Sequence, residues 1–224
     1  MSLRGTPPLA LMTFLLAQLI GAVIAGADPL PAKASALVFA TAMVAAGAAL
    51  DRGAHASGVP ALASALFRST ALAVGAALLV VVNAPPHAGL SGVASLGAAV
   101  AVLTLTIAGA ARLIGTVVGS VALGTLCTIV GLALTAAAPL WLGPAVARLG
   151  DVRLLVDTVI GVSPVTYLAV VCDYDYLRSD WLYTASPVGS VRFDYLAGST
   201  LTAGYLLLAA LLFGAHHVLS KERS

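Results

Sequence analysis

Long apolar stretches separated by short polar breaks dominate the pattern along this chain. A run of about 20 apolar residues matches an α-helix that crosses a bilayer core of about 30 Å. The first run spans 8–26 and ends at Asp28-Pro29, and the second spans 34–50 and ends at Asp51-Arg52. A third covers 61–83 and is closed by Pro85-Pro86-His87. The fourth and fifth, 93–111 and 117–138, are parted only by the join Ala111-Arg112-Leu113-Ile114-Gly115. One helix across both would be about 69 Å long, twice the bilayer core, so a tight hairpin at that join is expected. The last run, 197–215, leads into His216-His217 and the charged tail Lys221-Glu222-Arg223. The pattern predicts an all-α, polytopic membrane bundle of about six transmembrane helices, forming a single domain over 1–224.

Between 139 and 195 the pattern changes. This segment holds four of the eleven basic residues, six of the nine acidic ones, both Trp and five of the six Tyr. Its middle, Val156 to Cys172, is apolar but broken at Gly161 and at Ser163-Pro164. Too short and interrupted for a span, it is expected to form an interfacial or re-entrant helical pair between spans five and six.

Composition supports the membrane reading. Hydrophobic residues make up 60% of the 224 and charged ones 9%, against about 25% charged in a soluble domain. Mean hydropathy is +1.04. A soluble surface built from so few charges would expose large apolar patches, whereas lipid solvates them. The net charge of +2 and the lack of a polybasic run exclude nucleic acid as the expected partner. Four His and two Cys are too dispersed for a metal site, and no cofactor is expected. Cys127 and Cys172 could pair only if the fold brought them together. There is no Walker A, G-x-S-x-G or H-E-x-x-H pattern, so the chain is not expected to hydrolyse nucleotide itself or to be an enzyme.

Charge also orients the bundle. With the N-terminus inside, Arg4, Arg52, Arg68, Arg112, Lys221 and Arg223 are cytoplasmic, and the opposite short loops carry only Lys33. The positive-inside rule then favours six spans with both termini cytoplasmic and 139–195 outside, in a cell membrane such as a bacterial inner membrane. Arg4, the first apolar run and Ala25-Gly26-Ala27 also fit a cleaved signal peptide.

The densest polar cluster covers 172–195. Asp173, Asp175 and Asp180 alternate there with Trp181 and Tyr183, and Arg178 and Arg192 can pair with the carboxylates. Aromatic rings at this spacing favour a membrane–water interface, and gating or partner contact is the functional reading. Paired carboxylates could also act as acid and base. Span five presents small residues at Gly115, Gly119, Ser120 and Gly124, a spacing that lets helix backbones approach. The spans show no Asp, Glu, Lys, Arg or His at mid-depth, which speaks against ion-coupled transport. His216 and His217 are expected at the interface.

This order of parts resembles that of ABC-2-type transporter permeases. The resemblance covers most of the chain and is one of topology. It implies six spans, a cytoplasmic link between spans two and three that meets an ATPase, and a broken extracytoplasmic helical pair. The link would carry Asp51, Arg52, His55 and Arg68, and the pair would lie within 139–183, broken at Ser163-Pro164. Seven residues precede the first span, where such permeases usually begin with an amphipathic helix. The function expected is a permease-like subunit that works with a separate ATPase and moves an apolar or lipid-like substrate. The alternatives are a scaffold subunit of a larger membrane complex and a membrane enzyme using Asp173, Asp175 and Asp180; the partners expected are membrane lipids and either other protein subunits or further copies of the chain in a homo-oligomer.

Overall fold

The computed structural model describes residues 59–83, 90–138, 153–171, 173, 175 and 195–222. All regular structure among them is helical. The helices are α1 (Val59–Asn83), α2 (Leu90–Val118), α3 (Val121–Ala136), α4 (Arg153–Val162), α5 (Pro164–Val171) and α6 (Gly198–Glu222). The first two apolar runs and the expected signal peptide lie outside the described residues.

Among the described residues, two stretches, Ala94–Val118 and Gly198–Glu222, are long and apolar enough to cross a membrane, and Leu62–Val74 and Val121–Ala136 are shorter apolar helices. Helix α2 is the hub. It packs against α1, α3, α5 and α6, and most of its apolar window is buried, 67% against 11% for α6. Leu96, Ala99, Val100, Leu103 and Ile107 on α2 form the centre of the core. Helix α6 leaves Leu206, Leu207, Leu208, Leu211 and Val218 exposed, and α3 leaves Leu123, Leu126, Ile129, Val130 and Leu134. In water each such side chain would forgo roughly 1.5–3 kcal/mol of burial; lipid removes that penalty.

The turn between α2 and α3 corrects one expectation. Arg112 was expected in the join, but α2 runs on to Val118. Nothing between Arg112 and Val118 breaks a helix, and the chain turns instead at Gly119, whose φ is +73°. Glycine takes this left-handed conformation without a Cβ clash. Ser120 then caps α3, its hydroxyl accepting from the Leu123 amide at 3.4 Å. The small residues read as one helical stripe therefore divide between two helices and the turn. Gly115 on α2 and Gly124 on α3 meet: a Cβ on Gly124 would sit 2.5 Å from the Gly115 Cα. Gly119 and Ser120 shape the turn.

Helices α2 and α6 run parallel. Thr106 hydrogen-bonds the Tyr205 carbonyl at 3.1 Å, Gly109 faces Leu212 and Phe213, and Thr116 meets His216 at 2.9 Å. Residue numbers rise together along both helices, which fixes their relative direction. Apolar burial drives helices together weakly in lipid, so close approach and hydrogen bonds carry the association. Thr104, Thr106, Thr128 and Thr135 each also bond a carbonyl four residues back, which satisfies a hydroxyl inside an apolar helix.

Candidate functional site

The helical pair α4–α5 breaks at Ser163-Pro164, and this break is built against the first turns of α6. Proline lacks an N–H and ends α4 locally, yet suits the first position of α5. The Ser163 carbonyl accepts from the Tyr167 amide at 3.1 Å, starting the new helix. The Ser163 side chain is fully buried, and its hydroxyl meets no hydrogen-bond partner among the described residues.

Three contacts hold the break to α6. The Tyr205 hydroxyl donates to the Val162 carbonyl at 2.7 Å, which the break leaves without a helical donor. The Tyr167 hydroxyl meets Thr202 Oγ1 at 2.8 Å. The rings of Tyr167 and Tyr205 stack with centroids 4.9 Å apart and planes 25° apart; such ring pairs contribute about 0.5–1.5 kcal/mol beyond burial. Further along α5, Val170 and Val171 approach Gly198. Helix α5 thus runs antiparallel to α6, from the level of Tyr205 back to that of Gly198. Seven residues of α6 separate those levels, about 10 Å at the α-helical rise.

Beyond α5, Asp173 has φ +52°, and its amide donates to the Val170 carbonyl at 3.1 Å. This is a left-handed helix end, a conformation that Asp tolerates better than most residues. Asp175 accepts from the Tyr195 hydroxyl at 2.6 Å, a charge-assisted length, so the two ends of the 175–195 segment are tied together. Asp173 and Asp175 therefore have local structural partners or roles. Arg178, Asp180, Trp181, Tyr183 and Arg192, like Asp51, Arg52 and His55, lie outside the described residues. Arg68 is half-buried on α1.

An open cavity of about 460 Å³ lies between α4 and the first half of α6, lined by Asp157, Thr158, Val162, Gly204, Tyr205 and Leu208 among others. Its walls are almost entirely apolar. Among the described residues Asp157 is the one charged residue in its lining, and sequence reasoning passed over it. The usable signal was a lone Asp within an apolar helical stretch.

A second charged group, expected in a polar join, is packed between helices near the end of α2. Arg112 is 1% exposed, within the apolar window of α2, with its guanidinium carbon 5.5 Å from the Phe213 ring centre. That is a cation–π distance. One turn on, Thr116 donates to the Arg112 carbonyl at 2.9 Å. The Thr116 hydroxyl also meets His216 Nδ1 at 2.9 Å. His216, expected at the interface, is 3% exposed. His217 is exposed.

The chain matches no known family model, and no curated protein or solved structure matches it significantly.

Proposed function

We propose that this chain is a permease-like membrane subunit of six spans with both termini cytoplasmic. It works with a separate ATPase to move an apolar or lipid-like substrate. The observation that carries this reading is the latch between the broken pair α4–α5 and α6, beside a parallel α2 and α6. If α2 and α6 both cross the bilayer in the same direction, the chain between them makes one net return. Helix α3 supplies it, so the broken pair belongs to the side on which α2 and α6 begin. A pair that reaches about 10 Å along α6 is then a re-entrant element at the extracytoplasmic end. The exposed leucines of α6 support a lipid-facing helix.

Motion delivered at the cytoplasmic link, from Asp51 to Arg68, would travel through α1 to α2, and through the α2–α6 bonds to the latch at Tyr205. The test is purification of the full chain from its native membranes in mild detergent. The expected result is a co-purifying nucleotide-binding protein with ATP hydrolysis that depends on this subunit. Recovery of the chain with no ATPase, or with a larger assembly lacking one, overturns the reading in favour of a scaffold.

A further inference from the structure

We infer that the cavity between α4 and α6 is a groove for one hydrocarbon chain of a bilayer lipid. The inference deepens the permease reading and rests on its membrane-crossing α6; it does not need the ATPase. The groove is long and narrow. On the α6 side its lining starts at Leu196, just before the helix, and ends at Leu208. That stretch measures about 18 Å at the α-helical rise. Spread over this length, a volume of about 460 Å³ leaves a mean bore of roughly 6 Å. Neighbouring chains keep carbon contacts of about 3.5–4.0 Å, so one chain fits that bore and two side by side do not. A hydrocarbon core of about 30 Å gives each leaflet about half that depth. A groove that begins at the start of α6 therefore reaches through one leaflet.

The walls set the chemistry of the occupant. Leu196, Thr200, Gly204 and Leu208 recur every four residues and are exposed, so the groove opens along one edge of α6. Leu201 is buried and Tyr205 half-buried behind that edge. Leu207 and Leu211 are exposed as well, which puts the opening beside the face that meets lipid. The lining is almost wholly apolar. Asp157 keeps an interaction of its own inside the protein and its Oδ1 is buried, so an uncharged chain strips no water from that atom. An empty groove forfeits dispersion contacts along its walls, and a hydrocarbon chain restores them. Glycine at 204 keeps the bore open, because a Cβ there would meet nothing within 4 Å.

The test uses the full chain in a steroidal detergent, whose fused rings are broader than the bore, with no ATPase present. The probes are two phosphatidylcholines that carry a photoreactive diazirine on one acyl chain, either tetradecanoyl or octanoyl. An extended chain advances about 1.25 Å per carbon, from bonds of about 1.52 Å at about 111°, so the longer chain fills the groove and the shorter one stops above Gly204. The expected result is saturable labelling by both probes, mapped by peptide mass to α4 and the first half of α6. Gly204→Leu, which plugs the groove part-way down, should cut tetradecanoyl labelling about tenfold and leave octanoyl labelling within about twofold. Gly214→Leu lies on the same helix outside the groove, where an added Cβ also meets nothing within 4 Å, and should change neither. Labelling that does not saturate, or that spreads evenly over the exposed leucines of α3 and α6, overturns the inference. So does a Gly204→Leu variant that labels like the unmodified chain, or that loses both probes equally. Saturable labelling of a chain that purifies without an ATPase leaves the groove standing and removes only the transport role. A co-purifying ATPase without saturable labelling does the reverse.

Discussion

Gly124 shows how much a single missing side chain can decide. Its Cα lies so close to α2 that a methyl group would meet the Gly115 backbone at 2.5 Å and the Ala111 carbonyl at 2.6 Å. These are backbone atoms and cannot rotate away. Gly124→Ala is expected to destabilise the α2–α3 hairpin by about 1–3 kcal/mol, the usual range for overpacking. Gly131 lies two turns on along the same helix, and nothing stands within 4 Å of its added Cβ. Gly131→Ala is expected to be neutral or stabilising by up to about 1 kcal/mol, because Ala restricts the unfolded chain. Thermal unfolding of the two variants in one detergent checks both values. A similar loss in both would mean that glycine matters here for the helix and not for the contact. Asp173 offers a second comparison. Its left-handed backbone predicts that Asp173→Gly keeps the end of α5 intact, whereas the β-branched Asp173→Val destabilises it by about 1 kcal/mol or more.

At the scale of elements, the break at Ser163-Pro164 depends on Tyr205. This residue takes up the Val162 carbonyl through its hydroxyl, and its own carbonyl accepts from Thr106 on α2. It therefore links three elements. Tyr205→Phe keeps the stacked ring and removes only the hydroxyl, leaving a carbonyl without its donor; such losses amount to about 1–3 kcal/mol. The expected outcome is a looser break. With Cys127 and Cys172 replaced by Ser, a Ser163→Cys reporter should resist a membrane-permeant maleimide, since Ser163 is fully buried. Adding Tyr205→Phe should speed its labelling several-fold. Unchanged labelling would show that the ring stack and the Tyr167–Thr202 bond hold the break alone.

For the whole molecule, the parallel course of α2 and α6 makes a prediction about sidedness. Cysteines placed at Ala94 and Leu196, near the starts of the two helices, should label with an impermeant thiol reagent from one and the same side. Cysteines at Ser120 and Glu222, near their ends, should label only from the other. On the proposed topology the first side is the exterior, and labelling of intact cells checks it. If Ala94→Cys and Leu196→Cys report opposite sides, the two helices do not both cross the bilayer and the permease topology fails. The buried Arg112 belongs to this scale as well. It lies on the hub helix, and its contacts with α6 join the two long helices near their shared end. Arg112→Leu would keep bulk but lose the cation–π contact with Phe213.

Local chemistry determined much of this protein before any long-range contact formed. Apolar composition, the scarcity of charge and the lack of strand-like alternation made the described chain helical. Ser163-Pro164 made a break legible because proline acts on its own neighbours. Aromatic and acidic enrichment marked the segment before α6 as different from the rest. Helices that are apolar on nearly every face carry little signal about which face meets which partner, so pairing was not legible. Only the tertiary structure decided that α2 continues through Arg112 to turn at Gly119, and that Gly115 and Gly124 meet across that turn. It also decided that α2 and α6 lie parallel, and that Asp157 lines a cavity. Each of these depends on atoms brought together from distant parts of the chain, where close approach and hydrogen bonding, not periodicity, select the arrangement.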